Sequence, residues 1–307
     1  MANLRQPHKN IPMKCTCLYS RLFLFLICLM AANSAFPETS DSTVVLQLGD
    51  PALSHFGDSG STHQRQEGLI FYQKEFQQGS HGTVEFIHGT HHVLVENVLS
   101  AVGDEDVGMP PEITMQSGIT EWSINFGATD QEADLPIVGR DRLMQFFAAL
   151  RAGGWKRFVD ISDPRLAGKE AWQYSDGAYY LDPTYTPTLD EWKASLIKMP
   201  KWVFYADGVY LKIYVQVWPA GIAGKQVYLF SLDIQNEYEF YGVRFFHGKD
   251  REGMRNWKAL LPAKLEEYHA MRLKTEAKLK AQGYTIDTTY QDPPIKALES
   301  APRSPGN

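Results

Sequence analysis

The stretch Trp202–Trp218 constrains the fold of this chain more than any other. Asp207-Gly208 marks a two-residue hairpin turn, because both residue types tolerate the positive φ that such a turn requires. Folding about it sets Ala206 opposite Val209, Phe204 opposite Leu211 and Trp202 opposite Ile213. One face then carries Trp202, Phe204, Val209, Leu211, Ile213, Val215 and Val217, and the other carries Lys201, Tyr205, Tyr210, Lys212, Tyr214, Gln216 and Trp218. A slip of one residue would expose the whole apolar set, so the register is strongly specified.

The flanking sequence extends this sheet. Val227–Ile234 should add a third strand through the Pro219–Lys225 loop, and Tyr238–Phe246 a fourth. Upstream, Trp122, Ile124 and Phe126 alternate with polar residues at strand period. Leu143, Phe146, Phe147 and Leu150 have helical spacing, and Gly153-Gly154 is a natural stop. Trp155–Ile161 returns as a strand, and Asp163-Pro164 has the cap and first-turn proline of a helix entry. Thr188-Leu189-Asp190-Glu191 is a capping box that opens a helix to about Lys198. Gly253–Gln282 is rich in helix formers, with Pro262 expected to kink or restart the helix and Gly283 to end it.

Nearer the amino terminus, short strands are expected at Val44–Leu48, Gly68–Phe76 and Thr83–Ser100, the last folded at Gly89-Thr90. The order of elements predicts an α+β fold: a mostly antiparallel sheet with flanking helices and a long C-terminal helix. Gly103–Pro111 reads as an acidic loop dividing a small β-rich region, 36–112, from a main domain, 113–291. The proline-bearing tail 292–307 should be disordered.

Residues 1–35 have the three parts of a secretory signal. Arg5, Lys9, Lys14 and Arg21 come with no acidic residue, an apolar run follows from Leu22 to Ala32, and small residues close it at Ser34-Ala35. The run is too short to span a bilayer, which takes about 20 apolar residues. Cleavage near Ala35, no stable membrane anchor and a periplasmic address are expected. Met13 offers a second start. Cys28 lies inside the apolar run, where a lipid-attachment site does not fit. Cys15, Cys17 and Cys28 are the only cysteines, so the exported part has neither disulfides nor thiolate metal sites.

The leader holds four of the 30 basic residues and none of the 36 acidic ones, which leaves the remainder at a net charge of −10. Such a surface argues against binding nucleic acid, which needs clustered Lys and Arg, and is compatible with a basic protein partner.

No catalytic residue, cofactor or metal site is predicted. Gly57-Asp58-Ser59-Gly60 has the look of a protease nucleophile, but too few residues precede it for the His and Asp of that fold. His81, His88, His91 and His92 cluster about a turn, yet lack the three or four aligned ligands that zinc takes. Gly103-Asp104-Glu105-Asp106 lacks the spacing of a calcium loop. The candidate interaction face is Tyr205, Tyr210, Lys212, Tyr214 and Trp218, since Tyr and Trp anchor interfaces. The competing expectation is that the 253–282 helix covers this face.

The runs Gly154-Trp155-Lys156-Arg157, Asp163-Pro164-Arg165-Leu166, Asp182-Pro183-Thr184-Tyr185, Glu191-Trp192 and Tyr205-Ala206-Asp207-Gly208-Val209 resemble exported proteobacterial proteins encoded among type VI secretion effector and immunity genes. The resemblance covers about 119–293. It implies a non-enzymatic periplasmic protein that binds another protein, such as a secreted effector, in an immunity or accessory role. Two alternatives stand beside it. One is an envelope hydrolase assembled from scattered residues such as Asp160, Asp163, His247 and His269. The other is a small-molecule or glycan binder using a solvent-open row of Tyr205, Tyr210 and Tyr214.

Overall fold

The computed structural model describes residues 43–49, 62–66, 69–76, 82–174, 180–247 and 251–299. The expected signal at 1–35, Gly57–Gly60, His81 and residues 300–307 lie outside them. Eleven strands are described: β1 (Val44–Leu46), β2 (Thr62–Gln66), β3 (Leu69–Glu75), β4 (Thr83–His88), β5 (His91–Glu96), β6 (Val98–Asp106), β7 (Glu121–Phe126), β8 (Lys156–Arg157), β9 (Lys201–Ala206), β10 (Val209–Pro219) and β11 (Gln226–Asn236). Eight α-helices accompany them: α1 (Pro111–Thr114), α2 (Pro136–Ala152), α3 (Gly168–Tyr174), α4 (Leu189–Leu196), α5 (Arg244–Phe246), α6 (Glu252–Arg255), α7 (Trp257–Ala281) and α8 (Lys296–Glu299). A π-helical turn, Tyr238–Val243, precedes α5. The fold is α+β, with a long C-terminal helix.

The hairpin at Asp207-Gly208 forms in the expected register, with Val209 on Ala206, Leu211 on Phe204 and Ile213 on Trp202. Asp207 and Gly208 both take positive φ, 47° and 84°. Around this hairpin grows an eight-stranded sheet in the order β2-β3-β6-β7-β11-β10-β9-β8, every pairing antiparallel. Its apolar face gathers Trp122, Ile124, Phe126, Trp202, Phe204, Leu211, Ile213, Phe230 and Leu232 into one core with Phe146, Phe147 and Leu150 of α2 and Trp192 of α4. The second sheet, β1-β4-β5, adds Val84, Phe86, Val93 and Val95 to the same core. Phe147 seats between Trp202 and Phe204, with ring centroids 5.2 and 5.3 Å away. The capping box at Thr188 forms, Oγ1 accepting from Glu191 N while the Glu191 carboxylate accepts from Thr188 N.

Several expectations change. Gly103–Asp106 is the end of β6, not a solvated loop. Gly103 lies under Trp122, where a Cβ would come within 2.6 Å of the indole, and Asp106 is buried, ion-paired with Arg251 and hydrogen-bonded by Tyr238 Oη at 3.0 Å. Because β6 pairs with β7, the strands before and after the expected boundary share one sheet, and the described residues group as one compact unit. Tyr238–Phe246 is helical rather than a fourth strand: Tyr238, Phe240 and Tyr241 turn back over the sheet as a π-helical layer. Asp163 opens no helix; its carboxylate accepts from Tyr180 N at 3.1 Å, and only Lys156–Arg157 of the expected 155–161 strand is paired.

The end of the chain is tied down as far as Ala297. Arg272, buried on α7, holds Asp292 through two contacts of 2.7 and 2.9 Å. The buried Glu237 carboxylate accepts from the N–H groups of Lys296 and Ala297 at 2.8 and 2.7 Å. The expected disorder of 292–307 therefore does not begin at Asp292. Among the described residues, no helix is long and apolar enough to cross a membrane.

Candidate functional site

The second face of the large sheet is built from the polar members of the same alternation. Register places three rows across β6, β7, β11, β10 and β9. They are Asp104–Glu121–Gln235–Tyr210–Tyr205, then Val102–Ser123–Asp233–Lys212–Val203, then Ser100–Asn125–Ser231–Tyr214–Lys201. Neighbouring strands lie about 4.8 Å apart, so Ser123, Asp233 and Lys212 span about 10 Å.

The first row is roofed at its β10–β9 end. Tyr210 stacks on Phe240 at a centroid distance of 3.8 Å, and its hydroxyl meets that of Tyr241 at 3.0 Å. Tyr205 Oη donates to Pro294 O at 3.3 Å. Of the candidate interaction face, then, Tyr205 and Tyr210 are buried, under the π-helical turn and the chain end rather than under the long helix alone. A solvent-open row of Tyr205, Tyr210 and Tyr214 is not what the fold presents. Lys212 and Tyr214 are half-buried, and Trp218 is exposed.

What remains partly exposed is a strip of charged and polar side chains along the sheet, here termed the trough. Glu121, Asp233, Lys212 and Tyr214 are densely surrounded, yet each keeps some contact with solvent. Ser123 Oγ donates to Asp233 at 2.9 Å, Ser231 Oγ donates to Asn125 Oδ1 at 2.7 Å, and Asn125 Nδ2 donates to Ser100 Oγ at 3.1 Å. The Lys212 ammonium lies 5.2 Å from the Phe240 ring centroid. Thr120 Oγ1 donates to Glu239 at 2.7 Å on the rim.

Electrostatics in the trough disfavour the ionised forms. Burial, then the carboxylates of Asp233, Glu239 and Asp104, hold the Glu121 carboxyl well above the usual range, with Lys212 opposing. Burial also raises Asp233, outweighing Lys212 and the hydrogen bond from Ser123. Burial lowers Lys212 against the pull of Glu121 and Asp233. The Tyr214 hydroxyl is pushed up by burial and by Asp233.

Asp160 and Asp163, two of the scattered candidates, do come together. Ser162 Oγ lies 2.9 Å from Asp160 and 3.3 Å from Asp163, and both carboxylates are buried. Asp160 pairs with Arg244 at 2.5 Å. Burial works against its ionisation, but Arg244 and the Ser162 hydrogen bonds win and lower its pKa. Burial and the charge of Asp160 push Asp163 up to about 7. Arg244 is also stacked near Phe240 and Phe245. His247 and His269 lie exposed, apart from the buried pair in character.

His88 and His91 are cross-strand neighbours, as expected, and they dock one hairpin on another. His88 Nε2 donates to Asp207 O at 3.2 Å, and His91 Nδ1 donates to Gly153 O at 3.2 Å while its Nε2 lies 3.5 Å from the Asp207 carboxylate. Among the described residues no group of three or more His, Cys, Asp or Glu is arranged to hold a metal ion.

No protein family, curated protein or solved structure matches this chain. Sequence reasoning placed Lys212 and Tyr214 on this face but missed Glu121 and Asp233, which in sequence look like ordinary solvent-facing members of alternating strands.

Proposed function

We propose that this is an exported, non-enzymatic protein that binds another protein, with the half-open charged trough receiving a basic side chain of the partner. The observation that carries this reading is Glu121 and Asp233 held beside Lys212, where their ionised forms are disfavoured but solvent still has access. Such an arrangement lowers stability at neutral pH, and perturbed groups of this kind concentrate at functional sites. A guanidinium or ammonium entering the trough would restore the ionised carboxylates and relieve that penalty. The resemblance to proteins of type VI secretion effector and immunity neighbourhoods supports a secreted effector, met in the periplasm, as that partner.

The test is co-purification from periplasmic extract with the wild-type chain and a Glu121→Gln/Asp233→Asn variant. A partner retained by the first and lost by the second supports the reading; no specific partner for the wild type refutes it. For the immunity role, loss of the gene should sensitise cells to sibling competition, and unchanged fitness would remove that role.

One observation favours a second reading, an envelope hydrolase. Asp160 and Asp163 are adjacent carboxylates with their proton affinities driven apart, the asymmetry that acid–base chemistry uses. Mass spectrometry of isolated envelope polymers after incubation with wild type and Asp163→Asn decides it: released fragments that depend on Asp163 support hydrolysis, and none from the wild type excludes it.

A further inference from the structure

A cavity of about 120 Å³ opens on the same sheet face, beyond the trough, at the far end of the β10–β11 hairpin. Lys212 and Trp218 are six residues apart on β10, about 20 Å at strand rise, so the two sites are separate. Leu99, Val227 and Leu229 line the cavity together with Trp218. Its wall is mostly apolar.

Trp218 is out of place for a packing residue. It is 46% exposed, whereas the other six tryptophans of the chain are buried. An indole standing open beside an apolar hollow is a contact surface that folding leaves unused. The volume is close to that of an engineered cavity of about 150 Å³ that holds benzene. Asp130 and Glu132, both exposed, line the same cavity, and no Lys or Arg does among the described residues.

We propose that this cavity binds a single aromatic ring that carries a cationic arm. The ring fills the hollow against Trp218, and the ammonium or guanidinium meets the Glu132 carboxylate and the open face of the indole. Both contacts favour a cation, the second through the ring quadrupole. Neither involves a residue of the trough, so this site and the proposed partner contact at Glu121 and Asp233 stand or fall separately.

Phenethylamine is the probe, titrated into the full chain and followed by tryptophan fluorescence and amide NMR. Saturable binding is expected, with shifts confined to residues such as Asn97, Leu229 and the Trp218 indole. Phenethyl alcohol, the neutral counterpart, should bind about fivefold more weakly. Glu132→Gln should shrink that difference, and Asp130→Asn/Glu132→Gln should remove it, both leaving ring binding in place. Trp218→Ala should abolish binding, with an unchanged circular dichroism spectrum showing that the chain still folds. N-acetyl-Phe-Arg-amide separates the two sources of such a ring. Tighter binding than phenethylamine assigns the ring to a protein side chain, weaker binding to a free small molecule, and either supports the site. Absence of saturable shifts, equal affinity for amine and alcohol, or binding that survives Trp218→Ala overturns the proposal.

Discussion

The two faces of the eight-stranded sheet are made by the same strands and obey opposite rules. On one, Trp122, Trp202, Phe204, Leu211 and Phe230 are fully enclosed beneath α2, α4 and the smaller sheet. On the other, the alternate positions hold Glu121, Asp233, Lys212, Tyr214, Ser231 and Asn125, roofed at one end and open at the other. The first face obtains stability from burial. The second gives some of it back, because crowded carboxylates and a crowded lysine are kept short of water. The difference shows where the fold gains stability and where it gives some up.

Substitutions should separate the two faces by size and sign. The largest effect belongs to the apolar face: Trp202→Ala, leaving a void under Phe147, should destabilise by about 3–5 kcal/mol in denaturant unfolding. A loss under about 1 kcal/mol would mean that the core collapses around the gap and that the apolar face is less specified than its register implies.

The next effect has the opposite sign. Glu121 and Asp233 have raised pKa values in the fold, so their favourable contribution is complete below the unfolded carboxylate range and is lost as pH rises through the folded value. Glu121→Gln/Asp233→Asn should therefore raise the melting temperature at pH 8. The gain should vanish toward pH 4. Thermal melts across that range check it, and a variant less stable than wild type at pH 8 would remove the contrast between the faces.

Asp163, near 7, should behave likewise: Asp163→Asn gains relative stability as pH rises past 7, whereas Asp160, lowered by Arg244, loses its contribution as pH falls through its folded value. Carboxyl chemical shifts followed by NMR titration would show the two titrating apart; coincident midpoints would contradict the asymmetry. Smaller again is Thr188→Ala, which removes the capping box of α4 and should destabilise by about 1 kcal/mol. Smallest is Ser231→Ala on the open face, expected within about 0.5 kcal/mol of wild type.

The apolar face was legible in the sequence because its signals are local. The turn at Asp207-Gly208 fixes the hairpin register within a few residues, and the capping box at Thr188 lies within four. The trough was not, because Glu121 and Asp233 are brought together by pairing between β7 and β11. In either strand alone, a polar residue at every second position reads as the solvent side. The same blindness explains Gly103–Asp106: a run of acids looks like a loop until Arg251 and Tyr238 arrive from far along the chain to hold Asp106. Tyr238–Phe246 misled in a different way. Its aromatic residues suit a strand, and the need to roof Tyr210 with Phe240 and Tyr241 won over that propensity.

Glu237 follows directly on β11, yet its carboxylate finds its two backbone donors only at Lys296 and Ala297. During synthesis, this buried acid must wait for about sixty further residues before it is satisfied. The sheet can assemble early, but the roof over Tyr205 and Tyr210 cannot latch until about sixty further residues have been made. A chain shortened ahead of Lys296 would be left holding an unsatisfied acid beside an uncovered aromatic layer, a state suited to recognition by chaperones or proteases rather than to folding.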